Sequence, residues 1–275
     1  MPGTDGAAVG KDEMPQPAGI LQSEEKGDGM KTDGYWYETH MHTSEGSACG
    51  MSTGAEMAGA YARAGYTGII VTDHFFYGNT AVDRQLPWSQ WVEAFCRGYE
   101  HARKEGERLG LQVFFGWESG YNGTEFLIYG LDKGWLLAHP EIRDATVEEQ
   151  FQLVHEGGGI VCHAHPYREA SYIPEIRLFP EYVDAVEGLN AAHVMDRNKP
   201  LHPEYNDRAV SYAREHGFPM TAGSDQHSTT MFYGGMVFSQ KLTDIHDFVR
   251  RVMAGEALRL LSGGIGPKGT DPGIL

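Results

Sequence analysis

From residue 35 onward, short apolar and aromatic runs alternate with longer stretches in which apolar residues recur at helical spacing. Short runs rich in β-branched and aromatic residues are typical of strands, and the longer amphipathic stretches are typical of helices. The alternation predicts βα units around a mainly parallel sheet. We predict seven strands, at 35–42, 67–74, 111–119, 125–131, 159–166, 183–190 and 219–227.

Five longer segments between these strands carry helix signals. In the first, Thr53 and Glu56 have the spacing of a capping box, and Gly65 suits a left-handed C-terminal cap. We predict helices at 53–65, 88–110, 146–158, 203–217 and 243–256. Because no repeat or linker divides residues 35–262, we predict one barrel domain there, a flexible polar leader over 1–34 and an irregular tail over 263–275.

Side chains that bind metals recur at the end of one predicted strand after another. In a parallel barrel the carboxyl ends of all strands meet on one face, where active sites lie. Imidazole and carboxylate groups suit Zn²⁺, Mn²⁺ or Fe²⁺, and adjacent ions suit hydrolysis of a phosphate ester. The candidates are His40, His42, Asp73, His74, Glu118, His163, His165, Asp225 and His227.

In order and spacing, the motifs that contain these residues resemble the PHP (polymerase and histidinol phosphatase) domain family. The resemblance implies an α/β fold, a distorted seven-stranded (β/α)7 TIM-like barrel, with a trinuclear metal centre and phosphoesterase or phosphatase activity. The matching segments are "HMH" (40–42), "GIIVTDH" (68–74), "GWES" (116–119), "AHP" (164–166), "VEGLN" (186–190) and "GSDQH" (223–227).

The resemblance also implies how the ligands divide among three ions, with one carboxylate bridging the first two. The first ion would take His40, His42, Glu118 and Asp225, the second would share Glu118 and add His165, and the third would take His74 and His227.

Two positions depart from the family pattern. Many members place a histidine or aspartate about eight residues after the first histidine of the pair, where this chain has Ala48. Glu45 could substitute, or with less support Cys49; otherwise the third site is weak or empty. A histidine that is usual near the end of the fourth strand is also missing, and the candidates in its place are Glu125, Asp132 and His193.

Further residues are candidates for roles in the reaction itself. Glu118 and Asp225 would hold the ions that activate water. Arg168 follows "HPY" and could bind a substrate phosphate in bidentate fashion, although a surface ion pair is an equal alternative. Asp73, His193 or a metal-bound water could protonate the leaving group. Asp73 could instead cap a helix or orient a histidine, and His163 is expected to support polar structure rather than bind metal.

Net charge, the length of apolar runs and the cysteine pattern limit which partners and which location we predict. The net charge of −16 disfavours long polyanions, so we predict no nucleic acid partner. No apolar run approaches the roughly 20 residues of a membrane helix, so we predict no membrane association. Three widely spaced cysteines form neither a disulfide framework nor a CxxC zinc motif, which indicates a cytoplasmic location.

Together these observations predict a metal-dependent phosphoric monoester hydrolase, histidinol-phosphatase-like, that holds two or three divalent ions (Zn, Mn or Fe). It would hydrolyse a small phosphorylated metabolite through a metal-bound hydroxide. Amidohydrolase-type C–N hydrolysis is one alternative, since the same metal chemistry serves both reactions. A non-catalytic metal-binding domain is another, and Ala48 is its main support. The substrate and the oligomeric state stay open.

Overall fold

The computed structural model describes residues 34–195, 200–231, 233–264 and 266–268, so all but the last residue of the predicted leader and most of the predicted tail lie outside the described residues. The described helices are α1 (Gly54–Ala64), α2 (Trp88–Phe95), α3 (Arg97–Leu109), α4 (Lys133–Ala138), α5 (Val147–Glu156), α6 (Pro203–His216) and α7 (Ile245–Met253). The described strands are β1 (Tyr35–Glu38), β2 (Gly68–Val71), β3 (Gln112–Tyr121), β4 (Thr124–Tyr129), β5 (Ile160–Ala164), β6 (Ala185–Asn190), β7 (Met220–Gly223), β8 (Gly234–Phe238) and β9 (Ala257–Ser262).

These strands form one sheet in the order β7-β6-β5-β4-β3-β2-β1-β8-β9. The runs β1-β2-β3 and β5-β6-β7 are parallel, as predicted. In contrast, β4 is antiparallel to both of its neighbours, and β8 and β9 add antiparallel pairs beyond β1. The α/β barrel class is confirmed, and the predicted count of seven strands is wrong by the two that follow β7.

The sheet closes on itself because the chain around β1 has two different partners. Tyr35 to Tyr37 pair with β8, whereas the residues just beyond β1 pair with the chain just beyond β7. There the backbone N–H of His42 donates to the carbonyl of Gln226 at 2.8 Å, and that of Gln226 donates to His40 at 3.2 Å. Seven strands therefore form a closed ring at the end where β1 and β7 finish, and the β8-β9 hairpin occupies the other end.

Glycines explain why β8 escapes prediction from the sequence. The strand starts with Gly234 and Gly235, and glycine weakens a strand pattern. Gly235 has φ +110°, and a Cβ there would lie 2.2 Å from the carbonyl oxygen of Tyr37. Only glycine permits the close approach of β8 to β1.

Two helix predictions also need correction. The predicted helix 88–110 is divided into α2 and α3, which meet at Cys96. The short helix α4 was not predicted; the side chain of Asp132 accepts a hydrogen bond from the backbone N–H of Trp135 and caps it. This contact gives Asp132 a helix-capping role in place of the metal-ligand alternative.

Aromatic residues fill much of the core beneath the helices. Trp91 and Phe95 of α2 are buried against Phe75 and Trp117, which lie at the ends of neighbouring strands. Rings of this size bury a large apolar area and fix the strands that carry the polar residues described below. Among the described residues, no helix is long and apolar enough to cross a membrane.

Candidate metal centre

Polar side chains at the carboxyl ends of the strands converge at the closed mouth of the barrel. The extended residues after β1, β2, β5 and β7 and the strands β3 and β4 supply them. Four overlapping groups of three bring their ligand atoms within 4.8 Å of one another: His40, His42 and Asp225; His40, Glu118 and His165; His74, Glu118 and Glu125; and His42, His74 and His227.

Glu118 lies at the centre of these groups and is completely buried. Its Oε1 is 3.1 Å from Nε2 of His165 and 3.4 Å from Nε2 of His40. Its Oε2 is 2.9 Å from Nδ1 of His74 and 3.6 Å from Nε2 of His42, yet neither Oε2 nor the Nδ1 of His74 has a hydrogen-bond partner. Burial raises the pKa of Glu118, but the His74 and His40 rings outweigh burial and hold it well below its usual range. The carboxylate is therefore charged, buried and incompletely hydrogen-bonded.

Hydrogen bonds on the far side of three rings direct their Nε2 atoms into the centre. Nδ1 of His40 is 2.8 Å from the Glu187 carboxylate, which can only accept, and Nδ1 of His227 is 2.8 Å from the carbonyl of Asp225. Both Nδ1 atoms must therefore donate, so each Nε2 faces the centre, where it can bind a cation once it carries no proton.

The third ring, His42, is oriented in the same way through a hydroxyl group. Ser47 Oγ donates its one proton to Asp73 at 2.7 Å, so its 3.1 Å contact with Nδ1 of His42 requires the ring to donate. Burial, together with His74 and His227, holds the pKa of His42 well below its usual range. The ring is thus neutral, and its Nε2 presents a lone pair to the centre.

Asp225 joins the centre to an arginine at its rim. Its Oδ1 is 3.1 Å from Nε2 of His42, and its Oδ2 pairs with the Arg168 guanidinium. Burial raises the pKa of Asp225, but Arg168 and His40 outweigh it and hold the pKa well below its usual range. Asp225 and His165 have φ values of +52° and +26°, which are uncommon for residues other than glycine and occur most often at functional sites.

His193, a predicted metal ligand, instead supports Arg168. Nε of Arg168 donates to Nε2 of His193 at 3.1 Å, and the other ring nitrogen contacts the Asn206 side chain at 2.9 Å. Burial, Arg168 and His165 lower the pKa of His193 to about 3, so the ring is neutral and accepts the hydrogen bond. Both of its nitrogens are occupied, and none of the converging groups includes it.

The group formed by His42, His74 and His227 contains no carboxylate. The ring centroids of His74 and His227 lie 4.4 and 4.6 Å from that of His42 on stacked planes. Cys49, on the loop after β1, is partly buried beside His74 and His227. Burial raises the pKa of Cys49, and the two histidines outweigh it and lower the pKa to about 7.

Three glutamates at the mouth were not assigned from the sequence alone. Glu125 on β4, left open at that stage, lies 3.7 Å from Nδ1 of His74 and 3.6 Å from Nε2 of His165. Glu187 on β6 holds the His40 ring and also accepts from the backbone N–H of His165 at 3.0 Å. Glu38 accepts from several backbone N–H groups around His40. The available signals were the "VEGLN" motif for Glu187 and the position of Glu38 at the end of β1.

Asp73 and Glu45, both predicted to take part in the site, are engaged elsewhere. Asp73 is buried and accepts from the backbone N–H of Thr43 at 2.6 Å, from the Thr43 hydroxyl at 2.6 Å and from Ser47. Burial raises its pKa to about 6, against these hydrogen bonds. The Glu45 carboxylate accepts from the backbone N–H of Gly54, at the start of α1, and contacts His101 at 3.0 Å. Asp73 thus organises the loop after β1, and Glu45 caps a helix rather than joining the converging groups.

His163 is buried in the core, where its ring packs 5.0 Å from that of Phe126. Burial and the neighbouring His165 lower its pKa to about 3. A pocket opens beside this part of the mouth, lined in part by Thr124, Glu125, His163, His165, Arg168 and Arg177.

The donors present at the mouth fit divalent cations. Buried carboxylates and imidazole nitrogens face one another across the centre, and two facing atoms, Oε2 of Glu118 and Nδ1 of His74, lack hydrogen-bond partners. Buried polar atoms without hydrogen bonds are costly, and a cation that binds both atoms would remove that cost. Imidazole and carboxylate together suit Zn²⁺, Mn²⁺ and Fe²⁺.

Comparisons with known proteins found a family model that matches part of the chain and several solved structures of similar fold. A family model described as PHP-associated matches residues 203–256, a segment that includes Asp225 and His227. No curated protein matches the chain. Three of the solved structures that are similar to it are 14–16% identical, and the two with TM-scores of 0.59 and 0.50 show a shared fold.

The first is a two-domain protein from Bacteroides vulgatus that contains a predicted PHP-like metal-dependent phosphoesterase; it is 14% identical, with a TM-score of 0.59 over 86% of this chain and 68% of that one. The second is a candidate metal-dependent phosphoesterase from Bifidobacterium adolescentis, 16% identical, with a TM-score of 0.50 over 80% of this chain and 96% of that one. The third is an amidohydrolase from Chromobacterium violaceum with bound sulfate, 14% identical, with a TM-score of 0.47 over 70% of this chain and 87% of that one.

Proposed function

We propose that the chain belongs to the PHP domain family and is a metal-dependent phosphoesterase that hydrolyses a small phosphorylated metabolite, which the PHP-associated match and the shared fold support. The environment of Glu118 carries this proposal. A fully buried carboxylate contacts four imidazole rings and keeps one oxygen without a hydrogen-bond donor. Such a group is best explained as a ligand that bridges cations.

We propose two or three Zn²⁺, Mn²⁺ or Fe²⁺ ions per chain. When bound, such ions polarise a phosphoryl oxygen and lower the pKa of water, so that no protein nucleophile is required. The residues that would hold them are His40, His42, His74, Glu118, Glu125, His165, Asp225 and His227.

Arg168 is the residue we propose to bind the substrate phosphate. Asp225 and His193 hold its guanidinium group at the pocket beside the centre. A guanidinium has more N–H donors than these two contacts use, and its planar fork matches two phosphoryl oxygens. Arg168 would therefore orient the phosphate against the centre and offset the charge that develops on it.

The two protein acids suggested by the sequence have other tasks at their observed positions. Asp73 is held by donors from Thr43 and Ser47, and His193 is a neutral acceptor for Arg168. We therefore propose a positioning role for both, with Asp73 acting through Ser47 on the His42 ring. The proton for the leaving group would come from water.

The net charge of −16 supports a small-molecule rather than a nucleic acid partner, and the three free cysteines suit a reducing, cytoplasmic setting.

Protein purified without chelator tests the proposal. We would measure its metals by elemental analysis and then assay p-nitrophenyl phosphate beside a panel of amides and lactones. The matched pair of variants is Asp225→Asn, which alters the centre, and Asp207→Asn, which alters an exposed aspartate on α6. We expect turnover of the phosphate ester by the wild type and by Asp207→Asn, with a loss in Asp225→Asn.

Turnover of amides or lactones alone would contradict the proposal in favour of a C–N or ester hydrolase. Full metal occupancy without turnover of any ester would favour a non-catalytic metal-binding domain.

A further inference from the structure

We propose that Asn206, on the first turn of α6, is a positioning residue for the substrate phosphate, because it fixes His193 as the acceptor that orients Arg168. The inference rests on the phosphate-binding role of Arg168 in the proposed function. It goes beyond that role because Asn206 belongs neither to the converging ligand groups nor to the lining of the pocket beside them, among the described residues.

Two backbone hydrogen bonds fix which way the Asn206 amide points. Its Oδ1 accepts from the backbone N–H of Asn190 at 3.1 Å, and its Nδ2 donates to the backbone carbonyl of the same residue at 3.1 Å. A flipped amide would place two donors against each other and two acceptors against each other, so the main chain permits only this orientation. Oδ1 is therefore the atom that faces the His193 ring.

The amide oxygen in turn fixes the proton on His193. Oδ1 of Asn206 can only accept, so its 2.9 Å contact requires Nδ1 of the ring to donate. Nε of Arg168 can only donate, so its 3.1 Å contact requires Nε2 of the ring to accept. Both contacts therefore require a neutral ring with its proton on Nδ1. Asn206 and His193 are buried, and without Oδ1 no contact among the described residues holds the proton there. A ring protonated on Nε2 would oppose Arg168.

The first turn of α6 also confines the ring and the segment that carries Arg168. The Tyr205 ring packs edge to face against His193, with centroids 5.2 Å apart, and the backbone N–H of His202 donates to the His193 carbonyl at 2.8 Å. The Tyr205 hydroxyl donates to the carbonyl of Glu169, next to Arg168, at 3.4 Å. One helix turn thus positions both partners of the hydrogen bond between His193 and Arg168.

This arrangement leaves Arg168 with donors for a substrate. His193 accepts from Nε and Asp225 accepts from Nη2, and neither contact involves Nη1. A guanidinium has five N–H donors, so about three stay available. Two fixed acceptors set their direction: the Asp225 carboxylate in the centre and the ring held by Asn206. Loss of one acceptor would let the guanidinium turn about the other.

Asn206 acts on Arg168 more directly than on the metal ligands. The side chain of Asn190, whose backbone Asn206 holds, donates to Glu187 at 3.0 Å, and Glu187 holds the His40 ring. However, Asn190 is also fixed by its pairing with Gly223 of β7. We therefore expect substitution of Asn206 to weaken phosphate binding and to leave the metal content unchanged.

¹⁵N NMR of the chelator-treated protein, labelled at histidine, tests the tautomer without metal or substrate. The ¹⁵N shifts distinguish a ring protonated on Nδ1 from one protonated on Nε2, and His193→Gln identifies the His193 signals by their loss. We expect the Nδ1–H form in the wild type and the appearance of the Nε2–H form in Asn206→Leu. Ala213→Gly, a control that loosens α6 at a buried position two turns along the helix, should keep the Nδ1–H form.

An Nε2–H ring in the wild type, or an unchanged tautomer in Asn206→Leu, would overturn the proposal. The wild-type measurement depends on no variant. Circular dichroism checks the fold of each variant, and Asn206→Ala, with the same expected result, replaces Asn206→Leu if the latter does not fold.

Phosphate binding to the metal-loaded protein gives a second measurement. In Asn206→Leu we expect the inhibition constant of inorganic phosphate to rise, and kcat/KM for p-nitrophenyl phosphate to fall, by roughly tenfold each. Metal content should not change, and Ala213→Gly should match the wild type. In an Arg168→Lys background, Asn206→Leu should have little further effect, because residues that act as one unit are not additive. An equal loss with and without Arg168 would mean that Asn206 does not act through it and would overturn the role.

The two proposals can fail separately. A wild type that hydrolyses no phosphate ester, but whose His193 tautomer depends on Asn206, would contradict only the proposed function. An active phosphoesterase whose inhibition by inorganic phosphate is the same in Asn206→Leu would contradict only the role of Asn206.

Discussion

Asp73 and Glu118 are buried carboxylates at the mouth ends of adjacent strands, and they differ in what surrounds them. The backbone of Glu118 even donates to the carbonyl of Asp73 at 3.0 Å. Asp73 accepts short hydrogen bonds from Thr43 and Ser47, whereas Glu118 faces imidazole rings and retains an oxygen without a donor. Burial alone therefore does not mark a metal ligand; the kind of partner does.

Removal of the Glu118 charge should have the largest effect. Glu118→Gln keeps the shape of the side chain but loses the anion that would bridge cations. We expect kcat/KM for a phosphate ester to fall roughly a hundredfold or more. This corresponds to a loss of about 3 kcal/mol of transition-state stabilisation. Steady-state kinetics and metal analysis of the same sample measure both effects.

The control for this variant is Glu107→Gln, which alters a largely exposed carboxylate in a surface ion pair with Arg103. It should leave turnover and metal content unchanged. Wild-type turnover in Glu118→Gln would remove the basis for treating the two carboxylates differently.

Removal of cations by a chelator should change the thermal stability of the Asp73 and Glu118 variants to different extents. A cation that binds only the folded chain stabilises it by about 2.7 kcal/mol at a hundredfold excess over its Kd. We therefore expect a chelator to lower the Tm of the wild type and of Asp73→Asn, but to change the Tm of Glu118→Gln much less. Thermal unfolding with and without chelator measures this. An equal shift in all three proteins would mean that Glu118 does not contribute to cation binding.

Asp73→Asn should act on stability first. The amide would present N–H groups to Thr43 or Ser47 donors and leave part of the buried network unsatisfied, which costs about 2 kcal/mol. We expect the free energy of unfolding of the metal-free protein in urea to fall by this amount. Thr221→Val, which alters another buried hydroxyl away from Asp73, serves as a comparison for general sensitivity of the core. An unchanged stability in Asp73→Asn would show that the network is not structural.

Much of this difference could be predicted from the sequence, because the ligand types recur at strand ends. Local sequence patterns identify most of the ligands: the HxH pair, Glu118, His165 and the GSDQH segment. The apolar runs before them predict the strands that carry them. Their convergence at one mouth follows from the barrel topology.

The rest depends on contacts between distant segments, which no local pattern encodes. Glu45 was a candidate for the third site, and only its contact with Gly54, at the start of α1, shows that it lies elsewhere. Histidine is the commonest metal-binding side chain, so the sequence favours His193 as a ligand. Its actual partners lie on distant segments: Arg168 on the β5-β6 connection and Asn206 on α6. The β8-β9 hairpin was missed because its glycines serve packing against β1.

Ser47 joins the two regions, so its substitution should give the smallest and most specific effect. Its hydroxyl donates to Asp73 at 2.7 Å and accepts from the His42 ring at 3.1 Å and from the backbone of His74 at 2.9 Å. Ser47→Ala removes the acceptor that fixes the His42 tautomer and costs about 1 kcal/mol of stability. Because the alternative tautomer turns a protonated Nε2 toward the centre, metal affinity should fall by roughly tenfold.

Ser44→Ala, on the same loop, controls for loss of a hydroxyl, since the Ser44 hydroxyl makes a long 3.4 Å hydrogen bond with Glu45. Competition with a chromophoric chelator gives the affinities, and the ¹⁵N chemical shifts of labelled His42 report the tautomer. If Asp73 acts on the centre through Ser47, Asp73→Asn and Ser47→Ala should weaken cation binding by similar factors, and the double variant should be no weaker than either alone. If the losses of cation affinity instead added in the double variant, Asp73 would act on the centre independently of Ser47. The contrast between Asp73 as an organising carboxylate and Glu118 as a ligand would then depend on the Glu118 variant alone.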